Sequence, residues 1–125
     1  MKKNLYNKKS RQELLSDLYS EDFKRITISF YKYVKLTNLH ELRNNIYSNF
    51  HRLKILGRIY IANEGINAQM SIPTHNINRF KKLLFSYPNF TNIQFKKALN
   101  YELSFIKLSV KVKKEIVAYK IPENK

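Results

Sequence analysis

Apolar and polar residues alternate from Arg25 to Leu36, RITISFYKYVKL, with Ile26, Ile28 and Phe30 on one side and Thr27, Ser29, Tyr31 and Tyr33 on the other. That period of two predicts a half-buried strand. The period then lengthens: Asn38 stands as a helix cap with Glu41 three positions on, and Leu39, Leu42, Ile46, Phe50 and Leu53 form one stripe of a helix ending before Gly57. Alternation returns over Arg58 to Ala62, where Ile59 and Ile61 point inward and Arg58 and Tyr60 outward. It continues over Ile66 to Ile72, with Ile66, Ala68, Met70 and Ile72 opposite Asn67, Gln69 and Ser71, and Pro73 ends the ladder because it has no amide to donate.

Both glycines of the chain lie in the stretch joining these last two strands, GRIYIANEGINAQMSIP from Gly57 to Pro73. Its centre, Asn63-Glu64-Gly65, has the chemistry of a tight turn: Gly65 can take positive φ without a Cβ clash, and Asn63 can bond its own backbone across the turn.

Downstream, Thr74 is placed to cap a second helix that carries Ile77, Phe80, Leu83, Leu84 and Tyr87 on one side and ends at Pro88. A short strand near Ile93 to Lys97 follows, then a longer one from Ser104 to Lys113 in which Ile106, Leu108, Val110 and Val112 share a face. Upstream, Ser10 and Glu13 have capping-box spacing, and Leu14, Leu15 and Leu18 give a helix over about 11–19 one stripe with which to close a core edge.

Strand, helix, strand, strand, helix, strand is the split β-α-β order. It implies an α+β, ferredoxin-like sandwich: an antiparallel sheet with two helices on one face, plus the short N-terminal helix. The expected organisation is an N-terminal extension over residues 1–24, the sandwich over 25–119 and the start of a linker over 120–125. The sheet's second face is then uncovered. The pattern places Tyr31, Tyr33, Arg58, Tyr60, Asn67, Gln69, Phe105, Lys107 and Lys111 there.

Charge sharpens that picture. Twenty-four Lys plus Arg against nine Asp plus Glu give +15 in 125 residues, and between Glu41 and Glu102 the sole acidic residue is Glu64. A cationic surface of this kind binds polyanions through counterion release, although a biased amino-acid usage rich in Lys, Asn, Ile and Tyr raises charge by itself. Rings set among cations on an open sheet suit single-stranded RNA, where bases stack and phosphates are held. There is no Lys-Gly-Phe-Gly-Phe run of an RNA recognition motif, and packing against another domain or subunit explains the same face equally well.

Other chemistries find little support. Glu64 beside Asn63 and Asn67 could act as a general base or orient a ligand, or it could cap the turn or pair with Arg58. His40, His51 and His75 are scattered without i, i+4 spacing, which gives no metal ligand set; His75 falls in the first turn of the second helix and His51 on an exposed helical face. With no cysteine, disulfides and thiolate nucleophiles are excluded from this chain. No apolar run approaches the ~20 residues of a membrane span and no signal peptide is evident, so a cytoplasmic protein is expected.

Three blocks, ITISFYKYV (Ile26 to Val34), GRIYIANEGINAQMSIP and LSVKVKKEIVA (Leu108 to Ala118), resemble the N-terminal region of the rhodanese-related, oxygen-dependent tRNA uridine hydroxylases. The resemblance implies an acylphosphatase-like domain ahead of a rhodanese domain that bears the catalytic cysteine. It also implies hydroxylation of a wobble uridine to 5-hydroxyuridine with molecular oxygen as co-substrate. No catalytic residue is assigned in this chain, which ends at Lys125 without a cysteine and is expected not to turn over alone. Its implied partners are tRNA and the rhodanese domain. Asn63, Glu64, Gly65, Asn67 and Gln69 carry over as the block that meets one of the two.

Acyl phosphate hydrolysis is a third reading, weakened because Lys35-Leu36-Thr37-Asn38 has neither glycine nor Arg after the first strand. Ala98 to Glu102 also departs from the more acidic, glycine-bearing turn usual in the family.

Overall fold

The computed structural model describes residues 8–97 and 105–116. The departure noted at Ala98 to Glu102, the linker at 120–125, and Ser104, Val117 and Ala118 lie outside the described residues.

Helix α1 spans Arg11–Tyr19 and opens on the expected capping box: Ser10 Oγ accepts from the Glu13 amide at 3.1 Å, and Glu13 Oε1 accepts from the Ser10 amide at 2.9 Å. Leu14 and Leu18 are buried. Strands β1 (Arg25–Tyr33), β2 (Leu56–Ala62), β3 (Gly65–Pro73), β4 (Lys96–Lys97) and β5 (Leu108–Val112) form one sheet in the order β4-β1-β3-β2-β5. The first four in that order pair antiparallel, as the split β-α-β order requires. One correction is needed: β5 lies parallel to β2, Ile59 opposite Val110, so the five-stranded sheet is mixed.

Helices α2 (Leu39–Arg52) and α3 (Ile77–Phe85) cover one face. There Ile28, Phe30, Ile59, Ile61, Ile66, Met70 and Ile72 share a core with Ile46, Phe50, Phe80 and Leu84. Phe50 and Phe80 meet edge to face, ring centroids 5.6 Å apart. Burying each such ring contributes roughly 1.5–3 kcal/mol.

Several boundaries differ from the pattern for local reasons. β1 stops at Tyr33 because the amides of Val34 and Leu36 turn to the carbonyls of Glu64 (3.0 Å) and Asn63 (2.9 Å). Asn38 precedes α2 in a left-handed conformation, φ 51°, and its side chain makes no cap bond. Thr74 does not cap the second helix: Thr74–Asn76 form a 3-10 turn, and the Thr74 amide donates to the Lys24 carbonyl at 2.9 Å. α3 then starts at Ile77 and ends at Phe85, two residues short of Tyr87, while Pro88 opens a second 3-10 turn to Phe90. β4 is only two residues long, and β5 begins at Leu108, leaving Phe105, Ile106 and Lys107 ahead of the ladder. Ser71, expected outward, is buried, and the Arg25 guanidinium donates to its carbonyl at 3.0 Å.

Candidate functional site

Two cross-strand rows build the face that the helices leave uncovered. Tyr31 opposes Asn67, Asn67 opposes Tyr60, and Tyr60 opposes Lys111. In the next row Lys96 opposes Ser29, Ser29 opposes Gln69, Gln69 opposes Arg58, and Arg58 opposes Ser109. Because side chains two apart on a strand share a face, the register puts an aromatic, amide and basic set on one surface.

Tyr31 and Tyr33 are 61% and 59% exposed, so both rings are available to a partner. They stand edge to face, centroids 6.1 Å apart. An exposed tyrosine pair offers amphipathic rings of the kind that serve recognition. Tyr60 differs: it is half-buried, and the Lys113 ammonium sits 4.9 Å from its ring centroid. The Arg58 guanidinium donates to Gln69 Oε1 at 2.6 Å and lies 5.9 Å from the Phe105 ring. Lys107 and Lys111 are exposed. The Lys107 carbonyl accepts from the Gly57 amide at 2.9 Å, which anchors the approach to β5.

The turn residues are held by architecture. Gly65 has φ +152°, and a Cβ there would stand 2.1 Å from the Lys32 carbonyl oxygen of β1. Close approach of β3 to β1 therefore demands glycine. The Asn63 amide group donates to the Leu36 carbonyl at 3.0 Å, instead of bonding across its own turn. Glu64 is exposed and its carboxylate accepts from the Ile116 amide at 2.9 Å; Arg58 does not pair with it. Asn67 completes a clasp by donating from Nδ2 to the Ile116 carbonyl at 3.0 Å. Ile116 itself is buried. The chain leaving β5 is thereby fixed over the turn end of the uncovered face.

Tyr31, Tyr33, Arg58, Tyr60, Asn67, Gln69 and Lys111 thus come together, whereas Asn63 and Gly65 belong to the stitch between turn and β1. Sequence reasoning missed Lys113 and Ile116, whose roles follow from the chain folding back after β5. It also missed Asn92 and Gln94, beside the same face. Asn92 has φ 64°, a conformation asparagine tolerates better than most residues. The histidines do not converge: His75 packs edge to face on Phe23 in the 3-10 turn and exposed His51 stacks on Tyr47. Among the described residues no group of three His, Cys, Asp or Glu could hold a metal ion, and no helix is long and apolar enough to cross a membrane.

Sheet order, helix placement and bare face together define a ferredoxin-like α+β domain of the acylphosphatase-like kind. Residues 25–116 match the UPF0176 acylphosphatase like domain, and the chain belongs to that family. It is 49% identical over 118 residues to the tRNA uridine(34) hydroxylase of Leptospira interrogans, covering 94% of this chain and 32% of that protein. The protein of the same name from Buchnera aphidicola subsp. Acyrthosiphon pisum is 42% identical over 121 residues, 96% of this chain and 37% of that one. That from Photorhabdus laumondii is 45% identical over 116 residues, 91% and 33%. The chain spans about a third of the length of the curated relatives it matches. Among solved structures, the dark state of BlrB, a BLUF protein, superposes with a TM-score of 0.53 at 13% identity over 72% of each chain, a likeness of fold alone.

Proposed function

We propose that this chain is the tRNA-engaging N-terminal domain of a cytoplasmic tRNA uridine hydroxylase and contributes binding, not chemistry. The oxygen-dependent hydroxylation, to 5-hydroxyuridine at the wobble position, is then the work of the rest of the protein, a rhodanese domain with its cysteine. The observation that carries the reading is the exposure of Tyr31 and Tyr33 on the same helix-free sheet face as Arg58 and Lys111, in a chain of charge +15. Rings offer stacking that tolerates any base, and cations hold the phosphates between them. Titrating the chain with tRNA at low salt tests this. Binding that weakens as salt rises supports it, and no measurable binding removes the RNA role.

A second reading has its own support. The clasp of Glu64 and Asn67 on Ile116 holds the outgoing chain at the turn end of the same face, which would lead a following domain onto it. On that reading Tyr31→Ala weakens association with the remainder of the protein and leaves tRNA affinity of the isolated chain unchanged.

A further inference from the structure

The uncovered face is not flat. Between β1, β3 and the loop leading into β4 lies a cleft of about 500 Å³ whose walls include Tyr31, Gln69, Asn92, Gln94, Lys32 and Lys96. That volume falls within the ~300–1,000 Å³ typical of small-ligand sites. None of its lining residues is acidic, so a ligand phosphate meets no carboxylate there.

Four primary amides line the cleft, Asn67, Gln69, Asn92 and Gln94, and they are its distinguishing chemistry. Asn67 Nδ2 is already given to the Ile116 carbonyl, which leaves the other three to face a ligand. Each offers a carbonyl acceptor and two N–H donors, the complement of the edge of an unpaired base. Gln69 Oε1 is already taken by Arg58 at 2.6 Å, which leaves its NH₂ group to donate. Gln94 and Asn92 are exposed. The loop carrying them is tied to β1 where Lys32 Nζ donates to the Thr91 carbonyl at 2.8 Å, so these amides are held against the sheet. The exposed Tyr31 ring supplies an aromatic wall, and exposed Lys96 a cation at the rim.

We propose that this cleft takes a single unstacked nucleotide of RNA, its base against Tyr31 with its edge to the amides of Gln69, Asn92 and Gln94, and its phosphate beside Lys96. The proposal rests on the RNA-binding reading and adds a base-dependent subsite to what charge alone would provide.

The test compares the 125-residue chain and its Gln94→Ala and Tyr31→Ala variants. Each is titrated with a four-nucleotide RNA, an abasic oligomer of equal charge, and whole tRNA. The intact chain is expected to prefer the base-bearing tetramer by about tenfold or more, the scale of one stacked and hydrogen-bonded base. Both variants should lose most of that preference while keeping the salt dependence of tRNA binding and the thermal midpoint. Equal affinity for the abasic oligomer, or a preference that survives in Gln94→Ala, overturns the cleft alone if tRNA still binds. Absence of tRNA binding at low salt overturns the cleft together with the reading beneath it.

Discussion

The carboxylate of Glu64 receives the amide of Ile116 at 2.9 Å, fifty-two residues further along the chain. Asn67 Nδ2 donates to the carbonyl of the same residue, so two side chains from one hairpin hold both backbone polar groups of Ile116. The only acid in the cationic middle of the sequence is thus engaged with backbone. If that clasp sets where the chain leaves the domain, Glu64→Ala should expose the Ile116 amide to hydrogen exchange. The stability cost should be only about 1 kcal/mol, because Glu64 is exposed. A double-mutant cycle with Asn67→Ala should show coupling of about 0.5 kcal/mol or more. An Ile116 amide that exchanges no faster in Glu64→Ala would refute the clasp.

Gly65→Ala should be far more damaging. A Cβ would lie 2.1 Å from the Lys32 carbonyl at a φ of +152°. Backbone flanks the site, so relief requires β1 and β3 to part, and a loss of about 3 kcal/mol or more is expected in denaturant unfolding. A loss under about 1 kcal/mol would mean that the two strands are not held so closely.

Tyr31→Ala and Tyr33→Ala should separate binding from folding. Both rings are more than half exposed, so each substitution should leave stability within about 0.5 kcal/mol. Removing a stacking platform should nevertheless weaken RNA binding by roughly 5-fold to 100-fold per ring that is used. Tyr60→Ala is expected to cost more stability, since its half-buried ring packs beneath Lys113. Thermal melts and binding isotherms on the same samples check both halves.

Salt dependence gives the number of phosphates held. With Arg58, Lys96, Lys107 and Lys111 exposed on or beside the face, about four contacts give a slope of log K against log salt near −3. Affinity for tRNA should then fall roughly 50-fold between 50 and 200 mM salt. A slope near zero would exclude a phosphate-holding role for these cations.

Much of this arrangement could be read from residue order. Alternation located β1, β2 and β3 and assigned Tyr31, Tyr33, Arg58, Asn67 and Gln69 to one surface, because period-two patterning survives wherever one face is buried. The capping box at Ser10 and Glu13 was equally plain, being local. What escaped was non-local. Thr74 was a sound cap candidate by type, yet its amide closes onto Lys24, fifty residues away. The parallel seat of β5 beside β2 depends on how the chain returns after β4, which alternation does not encode. Asn63 and Glu64 read as turn residues, correctly. Their bonds to Leu36 and Ile116 became visible only once distant segments were brought together.

The central claim is that the sheet face carrying Tyr31 and Tyr33 is the one that meets tRNA. Ring-proton resonances of the chain's tyrosines, followed by NMR during a tRNA titration, address it directly. Tyr19 on α1 is 71% exposed and serves as an internal control. The account predicts that Tyr31 and Tyr33 shift together as tRNA is added while Tyr19 stays in place. Movement of Tyr19 with Tyr31 and Tyr33 unperturbed would contradict it.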